Sequence, residues 1–251
     1  MKKGFVKTEN FKRLSEAQKN VERRGAREAG LVLIKGHYGI GKSELTERWA
    51  ADSGWVFVRA KETWTVRRLL EELAGKMGLS QVGNAAEVQA RITGRLAIDM
   101  VPIIIDEADF LLKGKGSRTT ASMLEAVRDI TDLTGSMCFL VGMENFPAKV
   151  AVHGHIASRV AMVVELMPLS VQDVKATVVA KAEVDLDDDL VAEIHRQATG
   201  RMRLVLNAIA NIERWAKANS WTSVTADQIK GKALCTEFTG AARLGRQAGG
   251  L

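Results

Sequence analysis

Gly36-His37-Tyr38-Gly39-Ile40-Gly41-Lys42-Ser43 fills every fixed position of the pattern G-x-x-x-x-G-K-[ST]. Its neighbours agree with it. Leu31-Val32-Leu33-Ile34, just upstream, is a short apolar run suited to a buried parallel strand. Glu44-Leu45-Thr46-Glu47-Arg48-Trp49-Ala50, just downstream, has helical spacing. Strand, glycine-rich loop and helix in that order predict a phosphate cradle. Glycines at 36, 39 and 41 let the chain turn tightly, so that backbone N–H groups and the helix N-terminus face the phosphates. Lys42 then neutralises the β- and γ-phosphates, and the Ser43 hydroxyl holds Mg2+. A chance glycine turn accounts for the spacing but not for the strand and helix that flank it.

Pro102-Ile103-Ile104-Ile105-Asp106-Glu107-Ala108-Asp109 predicts the other half of the site. A β-branched run that ends in acids suits a central parallel strand whose carboxyl end lines a ligand site. Asp106 is placed to bind Mg2+ through water, and Glu107 to polarise the attacking water. The two tasks need separate carboxylates, because one is held by the cation while the other faces the γ-phosphate. An Asp-Glu pair alone reads better as a solvated strand end; beside a phosphate loop the catalytic reading prevails. Asp109 is open between a part in the site and a cap for the next helix.

Composition narrows the class. A chain of 251 residues suits one large domain or a core with a small satellite, and 46% apolar residues suffice for a full core. Two cysteines, Cys138 and Cys235, are too few and too far apart for a disulfide framework or a zinc site. His153-Gly154-His155 has no third ligand nearby and reads as a loop. No apolar stretch approaches the roughly 18 residues of a membrane helix, and Met1-Lys2-Lys3-Gly4 leads into polar sequence, so a cytoplasmic protein is expected. The formal net charge of +6 is unevenly spread. Residues 1–30 hold nine Lys and Arg against four Glu, and Lys113-Gly114-Lys115-Gly116-Ser117-Arg118 is a second basic patch. Such patches suit a polyanion bound in a salt-sensitive way, or a solvated surface that only keeps the protein soluble.

Along the chain, strands and helices alternate. Trp55-Val56-Phe57-Val58 predicts a second strand, with helical patterns over 65–78 and 85–98. After the Ile103–Ile105 strand come a helix near 119–133, the strand Met137–Val141 and a last strand near 161–166. This order predicts an α/β fold, a parallel sheet with helices on both faces. From Pro168 onward only helices are expected. Ser170-Val171-Gln172-Asp173 opens the first with a capping box, and others follow at 187–198, 201–217 and 225–235. The expected parts are a basic N-terminal segment (1–29), the ATPase core (30–167), a helical lid (168–236) and a mobile tail (237–251).

An α/β nucleotide core followed by a small helical lid resembles the AAA+ ATPases. Later segments fit that family by position. Gly142-Met143-Glu144-Asn145 follows the fourth strand, where the family places a polar sensor of the γ-phosphate; Asn145 is the candidate, with Glu144 close by. Ser158-Arg159 precedes the last strand, where the resemblance implies an arginine finger reaching a neighbouring subunit's nucleotide; a plain surface arginine is the other reading. Gly200-Arg201-Met202-Arg203 resembles the second sensor, which makes Arg203 a phosphate contact. The resemblance spans about residues 30–235 and implies ATP and Mg2+ as ligands, and ATP hydrolysis as the activity.

Within AAA+ proteins the chain is similar to the transposition-helper ATPases, the group of the phage Mu B protein and the transposon target selectors. Val6-Lys7-Thr8-Glu9-Asn10 before an Arg-rich helix, the block Lys61–Leu70, Leu140-Val141-Gly142-Met143 and the minimal lid carry that likeness. It implies self-assembly into helical filaments on double-stranded DNA and recruitment of a transposase. Only thirty residues precede the first strand, so a separate N-terminal helix-turn-helix domain is not expected. DNA contact then falls to basic loops: Lys61, Thr63, Thr65, Arg67 and Arg68 after the second strand, and Lys113, Lys115 and Arg118 after the third. Their lysines, arginines and hydroxyls suit a phosphate backbone and give little sequence preference. A helicase-loader or initiator-type AAA+ ATPase of DNA replication is the alternative, since it shares the core and the DNA contact.

Overall fold

The computed structural model describes residues 1–2, 4–113 and 120–236. Lys115, Arg118 and the expected tail from 237 onward lie outside them. The chain divides into two compact units, Glu9–Met167 in one and Met1–Thr8 with Pro168 onward in the other. Among the described residues, no helix is long and apolar enough to cross a membrane.

The first unit begins with α1 (Glu9–Glu22), followed by β1 (Leu31–Lys35), α2 (Lys42–Ser53), β2 (Val56–Arg59), α3 (Val66–Lys76) and α4 (Ala85–Asp99). It continues with β3 (Ile103–Asp106), α5 (Ser122–Thr134), β4 (Cys138–Gly142), α6 (Phe146–Ala151), α7 (Gly154–Ala157) and β5 (Val160–Glu165). All strand pairs in the sheet are parallel, in the order β2-β3-β4-β1-β5. β3 and β4 are buried along their whole length, as expected of inner strands covered on both faces, whereas the edge strand β5 alternates. Alternate residues point to opposite faces. Leu31, Leu33, Ile103, Ile105, Cys138 and Leu140 share one core with Leu69, Leu70, Leu73, Ile92, Leu96 and Leu124 of α3, α4 and α5.

On the opposite face Phe139 of β4 packs between Trp49 of α2, centroids 5.0 Å apart, and Trp55, stacked at 5.5 Å. This aromatic trio ties α2 to the sheet and thereby fixes the loop that opens it. Truncating Trp49, which is only 4% exposed, to alanine would cost about 3–5 kcal/mol. α1 also belongs to this unit. Leu14, Ala17 and Val21 are buried, and the Asn10 amide both donates to the Met167 carbonyl (2.8 Å) and accepts from its N–H (2.9 Å). Two arginines of the basic N-terminal region serve the fold. Arg24 donates to the carbonyls of Val21, Arg27 and Gly135, and Arg27 donates to that of Thr134, at the C-terminal end of α5.

The second unit contains α8 (Val171–Lys181), β6 (Asp185–Leu186), α9 (Asp188–Ala198), α10 (Met202–Ala218) and β7 (Ser223–Val224). The capping box at Ser170 forms as expected, with Ser170 Oγ accepting from Asp173 N–H and Asp173 from Ser170 N–H. The unit is not purely helical, because β6 and β7 pair in parallel. The helix expected over 225–235 is replaced by a single 3-10 turn, Asp227–Ile229. Gly231 sits at φ 77°, which ends helical geometry there. Leu234 is then buried with its N–H on Gln197 Oε1. Apolar spacing alone does not separate such an apolar strap from a helix.

Candidate nucleotide site

The strand order places β4 between β3 and β1, so the carboxyl ends of β1, β4, β3 and β2 line one edge of the sheet. Ligands of open parallel sheets bind outside such ends. The loop after β1 needs its glycines for specific reasons. A Cβ on Gly36 would lie 2.5 Å from Ile40 Cδ1 and 3.0 Å from the Leu166 carbonyl oxygen. Gly39 and Gly41 adopt φ 78° and 91°, the left-handed region that side chains disfavour. Gly41 also offers no side-chain cap to α2, so the first N–H groups of a 12-residue helix stay available to an anion.

Lys42 folds back on this loop. Its ammonium donates to the carbonyls of Gly36 (2.7 Å) and His37 (2.9 Å) and lies 3.8 Å from Met143 Sδ. Burial pulls its pKa below the usual lysine value, against the opposing pull of Glu107, Asp106, Asp109 and Glu144. The charge of four carboxylates is thus felt at the one lysine that the phosphate pattern singles out.

Asp106, at the end of β3, is 1% exposed. One of its oxygens accepts from Arg59 Nε at 2.9 Å, and Arg59 Nη2 reaches Glu47 Oε2 of α2 at 3.2 Å. Glu107 is half-buried and left-handed, at φ 54° and ψ 39°, where the chain leaves β3 for a 3-10 turn over Ala108–Leu111. Such a conformation costs a non-glycine residue roughly 1–2 kcal/mol. Asp109 is not a cap for the next helix. It accepts from Met143 N–H (2.7 Å) and from Lys149 Nζ (2.7 Å), which pins the turn after β4 to the acids of β3. Only glycine fits at 142, since a Cβ there would sit 2.5 Å from Phe146 Cγ and 2.8 Å from Asp109 Oδ2.

These groups fit the ligands that the pattern implies. A serine hydroxyl and a buried carboxylate are the hard oxygen donors that Mg2+ prefers, and the positive-φ glycines give the loop the backbone turn that an anion cradle requires.

The structure brings Gly36, Gly39, Gly41, Lys42, Ser43, Asp106 and Glu107 to this edge. Asn145 is exposed, opens α6 and makes no side-chain cap bond; Met143 is the residue of that turn in contact with Lys42. Arg159 pairs within its own chain, with Nε on Asp132 Oδ2 at 3.0 Å and Oδ1 at 3.2 Å, and a further bond to Ser158 Oγ. Arg203 is exposed on the first turn of α10, in the second unit. Gly200 before it makes a tight corner, its carbonyl accepting from Leu169 N–H at 2.8 Å.

The expected DNA contacts divide. Lys61 and Thr63 are exposed just past β2. The Thr65 hydroxyl caps α3 by accepting from Arg68 N–H, and Arg68 is paired with Glu71 and Glu72. Arg67 is not available. It donates to Glu71 (2.7 Å), to Gln81 O (2.7 Å) and to Gly83 O, clamping the loop between α3 and α4. Lys113 donates to the Trp64 carbonyl, and its backbone bridges to Thr120. Lys115 and Arg118 lie outside the described residues.

Arg59, Met143 and the bridging role of Asp109 were not foreseen. An arginine that ends an apolar strand in an α/β sheet is a signal for the first, because strand ends line the site. Among the described residues, no cluster of three or more His, Cys, Asp or Glu forms a further metal site.

Residues 23–150 match the AAA domain family. No curated protein matches the chain significantly. Among solved structures it is similar to the ORC2 protein of Aeropyrum pernix in ADPNP–ADP complexes, with TM-score 0.64 and 16% identity over 86% of this chain and 66% of that one. The ORC1 protein of Aeropyrum pernix in complex with DNA gives TM-score 0.58 and 21% identity over 86% of this chain and 61% of that one. Cdc6p of Pyrobaculum aerophilum gives 0.64 and 14% over 93% and 68%. At these identities the likeness shows the fold, and the chain spans less than two thirds of the length of either ORC protein.

Proposed function

Because the chain belongs to the AAA domain family, we propose that it is an AAA+ ATPase whose ATP cycle governs binding to double-stranded DNA as an oligomer. The observation that carries the ATPase reading is the convergence of Lys42, Asp106 and Glu107 at the carboxyl ends of β1 and β3, around a loop that only glycine can build. In this reading Lys42 exchanges the carbonyls of Gly36 and His37 for phosphate oxygens. Ser43 and, through water, Asp106 hold Mg2+, which when bound neutralises charge on the phosphates. Glu107 takes a proton from the attacking water. Arg159 releases Asp132 to reach a neighbouring subunit's nucleotide, and Arg203 and Asn145 contact the γ-phosphate.

Two roles on DNA fit such a site. Similarity to ORC1 in complex with DNA and to Cdc6p supports an initiator or helicase-loader role in replication. The transposition-helper role rests on the sequence likeness of the Lys61–Leu70 block, of which Lys61 and Thr63 are exposed while Thr65, Arg67 and Arg68 are engaged within the fold. Electron microscopy of Glu107→Gln protein with ATP on long duplex DNA separates them. Continuous filaments that stimulate a transposase support the helper role; short discrete assemblies that load a replicative helicase support the initiator role. Absence of any assembly on DNA with ATP would overturn the DNA reading altogether.

A further inference from the structure

Arg59 stands opposite Asp106 in the β2–β3 register, so their side chains share one face of the sheet. Its Nε bonds a carboxylate that is 2% exposed, while its Nη2 bonds Glu47, 60% exposed, one turn along α2 from Ser43. A single guanidinium therefore spans from the acid that the metal needs to the helix that carries the metal's hydroxyl.

Buried carboxylates without a counter-charge are costly. A charge-assisted N–H bond is among the strongest that a side chain supplies, and an arginine keeps its charge at every accessible pH. A divalent ion approaching Asp106 meets this fixed charge close by; the guanidinium is itself 49% exposed, so solvent screens part of the repulsion and leaves a modest opposing effect. We propose that Arg59 is a built-in counter-cation for Asp106, which holds that carboxylate in place without metal and raises the Mg2+ concentration needed for nucleotide binding. The inference rests on the nucleotide-site reading above. It makes Arg59 a positioning residue that sets the Mg2+ level at which the site loads.

The test is a Mg2+ titration of fluorescent ATP-analogue binding, with nucleotide-free thermal unfolding in parallel. Arg59→Gln keeps a donor but loses the charge. It should lower the Mg2+ half-point by about threefold or more, and lower the metal-free Tm. Arg59→Lys keeps the charge and should stay within about twofold of wild type. A folded Arg59→Gln protein with an unchanged or raised half-point overturns the proposal. Should Arg59→Gln not fold, Glu47→Gln serves, because that contact is solvent-exposed. Freeing the guanidinium for Asp106 alone should raise the half-point by about twofold, and an unchanged or lower value overturns the proposal. Wild-type protein that binds no nucleotide at any Mg2+ concentration overturns the site reading itself, a distinct result.

Discussion

Lys42 and Arg67 are both basic, both singled out by sequence, and employed in opposite ways. Lys42 is bonded to carbonyls of its own loop, contacts that a phosphate can replace without disturbing a helix or strand. Arg67 holds Glu71 and two carbonyls of the α3–α4 loop, contacts on which the local fold depends. On the proposed function the first region is a site held in waiting; the second spends its charge on structure. A basic residue near a ligand edge is thus informative only once its partners are known, because charge counts do not separate binding from scaffolding.

Mutation can break or sharpen this contrast. The largest effect is expected at the phosphate loop. Lys42→Ala should weaken ATP binding by about 100-fold, as a charge-assisted phosphate contact is lost. Glu107→Gln should keep binding yet slow hydrolysis by about 10²- to 10⁴-fold. Isothermal titration and phosphate release measure the two, and wild-type turnover in Glu107→Gln would remove that residue as the base.

Next in size, Arg159→Ala should leave nucleotide affinity intact and lower assembly-stimulated hydrolysis by about 10³-fold. Mixing it with Lys42→Ala protein should restore part of the activity through mixed interfaces. Mixed assemblies that form without any recovery would leave Arg159 as the partner of Asp132 only.

At the other region the expected effect is on stability. Arg67→Ala should lower unfolding free energy by about 1–3 kcal/mol while DNA affinity per folded molecule stays unchanged. Lys61→Ala should do the reverse, sparing Tm and reducing the salt slope of DNA binding by about 1. If Arg67→Ala weakens DNA binding with Tm unchanged, the contrast fails.

The smallest effect concerns pH. Burial holds the Lys42 pKa below its unfolded value, so in the alkaline window between the two the unfolded chain binds more protons. The Lys42 contribution to stability therefore rises with pH across that window, and Lys42→Met should abolish the rise. Urea unfolding at a series of alkaline pH values reads it.

The parallel sheet and the phosphate loop were legible because backbone geometry demands particular residues there: glycine at positive φ, β-branched runs in doubly covered strands, acids at a strand end. The Ser170 box was legible for the same local reason. The 225–235 segment was not, because apolar spacing does not distinguish a buried strap from a helix; Gly231, at φ 77°, is the residue that breaks the helix. Arg59 and Met143 were not legible because their roles arise from pairing between strands far apart in the chain, β2 with β3 for Arg59 and β1 with β4 for Met143. Arg67 misled because its partners at 81 and 83 belong to a loop whose path only the fold reveals.

The measurement closest to the central claim is fluorescence anisotropy of labelled, unrelated duplexes with Glu107→Gln protein, in ATP, in ADP and without nucleotide. Tight, salt-sensitive binding to all duplexes in ATP with Mg2+, and weak binding otherwise, is the predicted result. Equal affinity in all three nucleotide states, or no binding in any, would contradict a DNA-binding ATPase governed by the Lys42, Asp106 and Glu107 site.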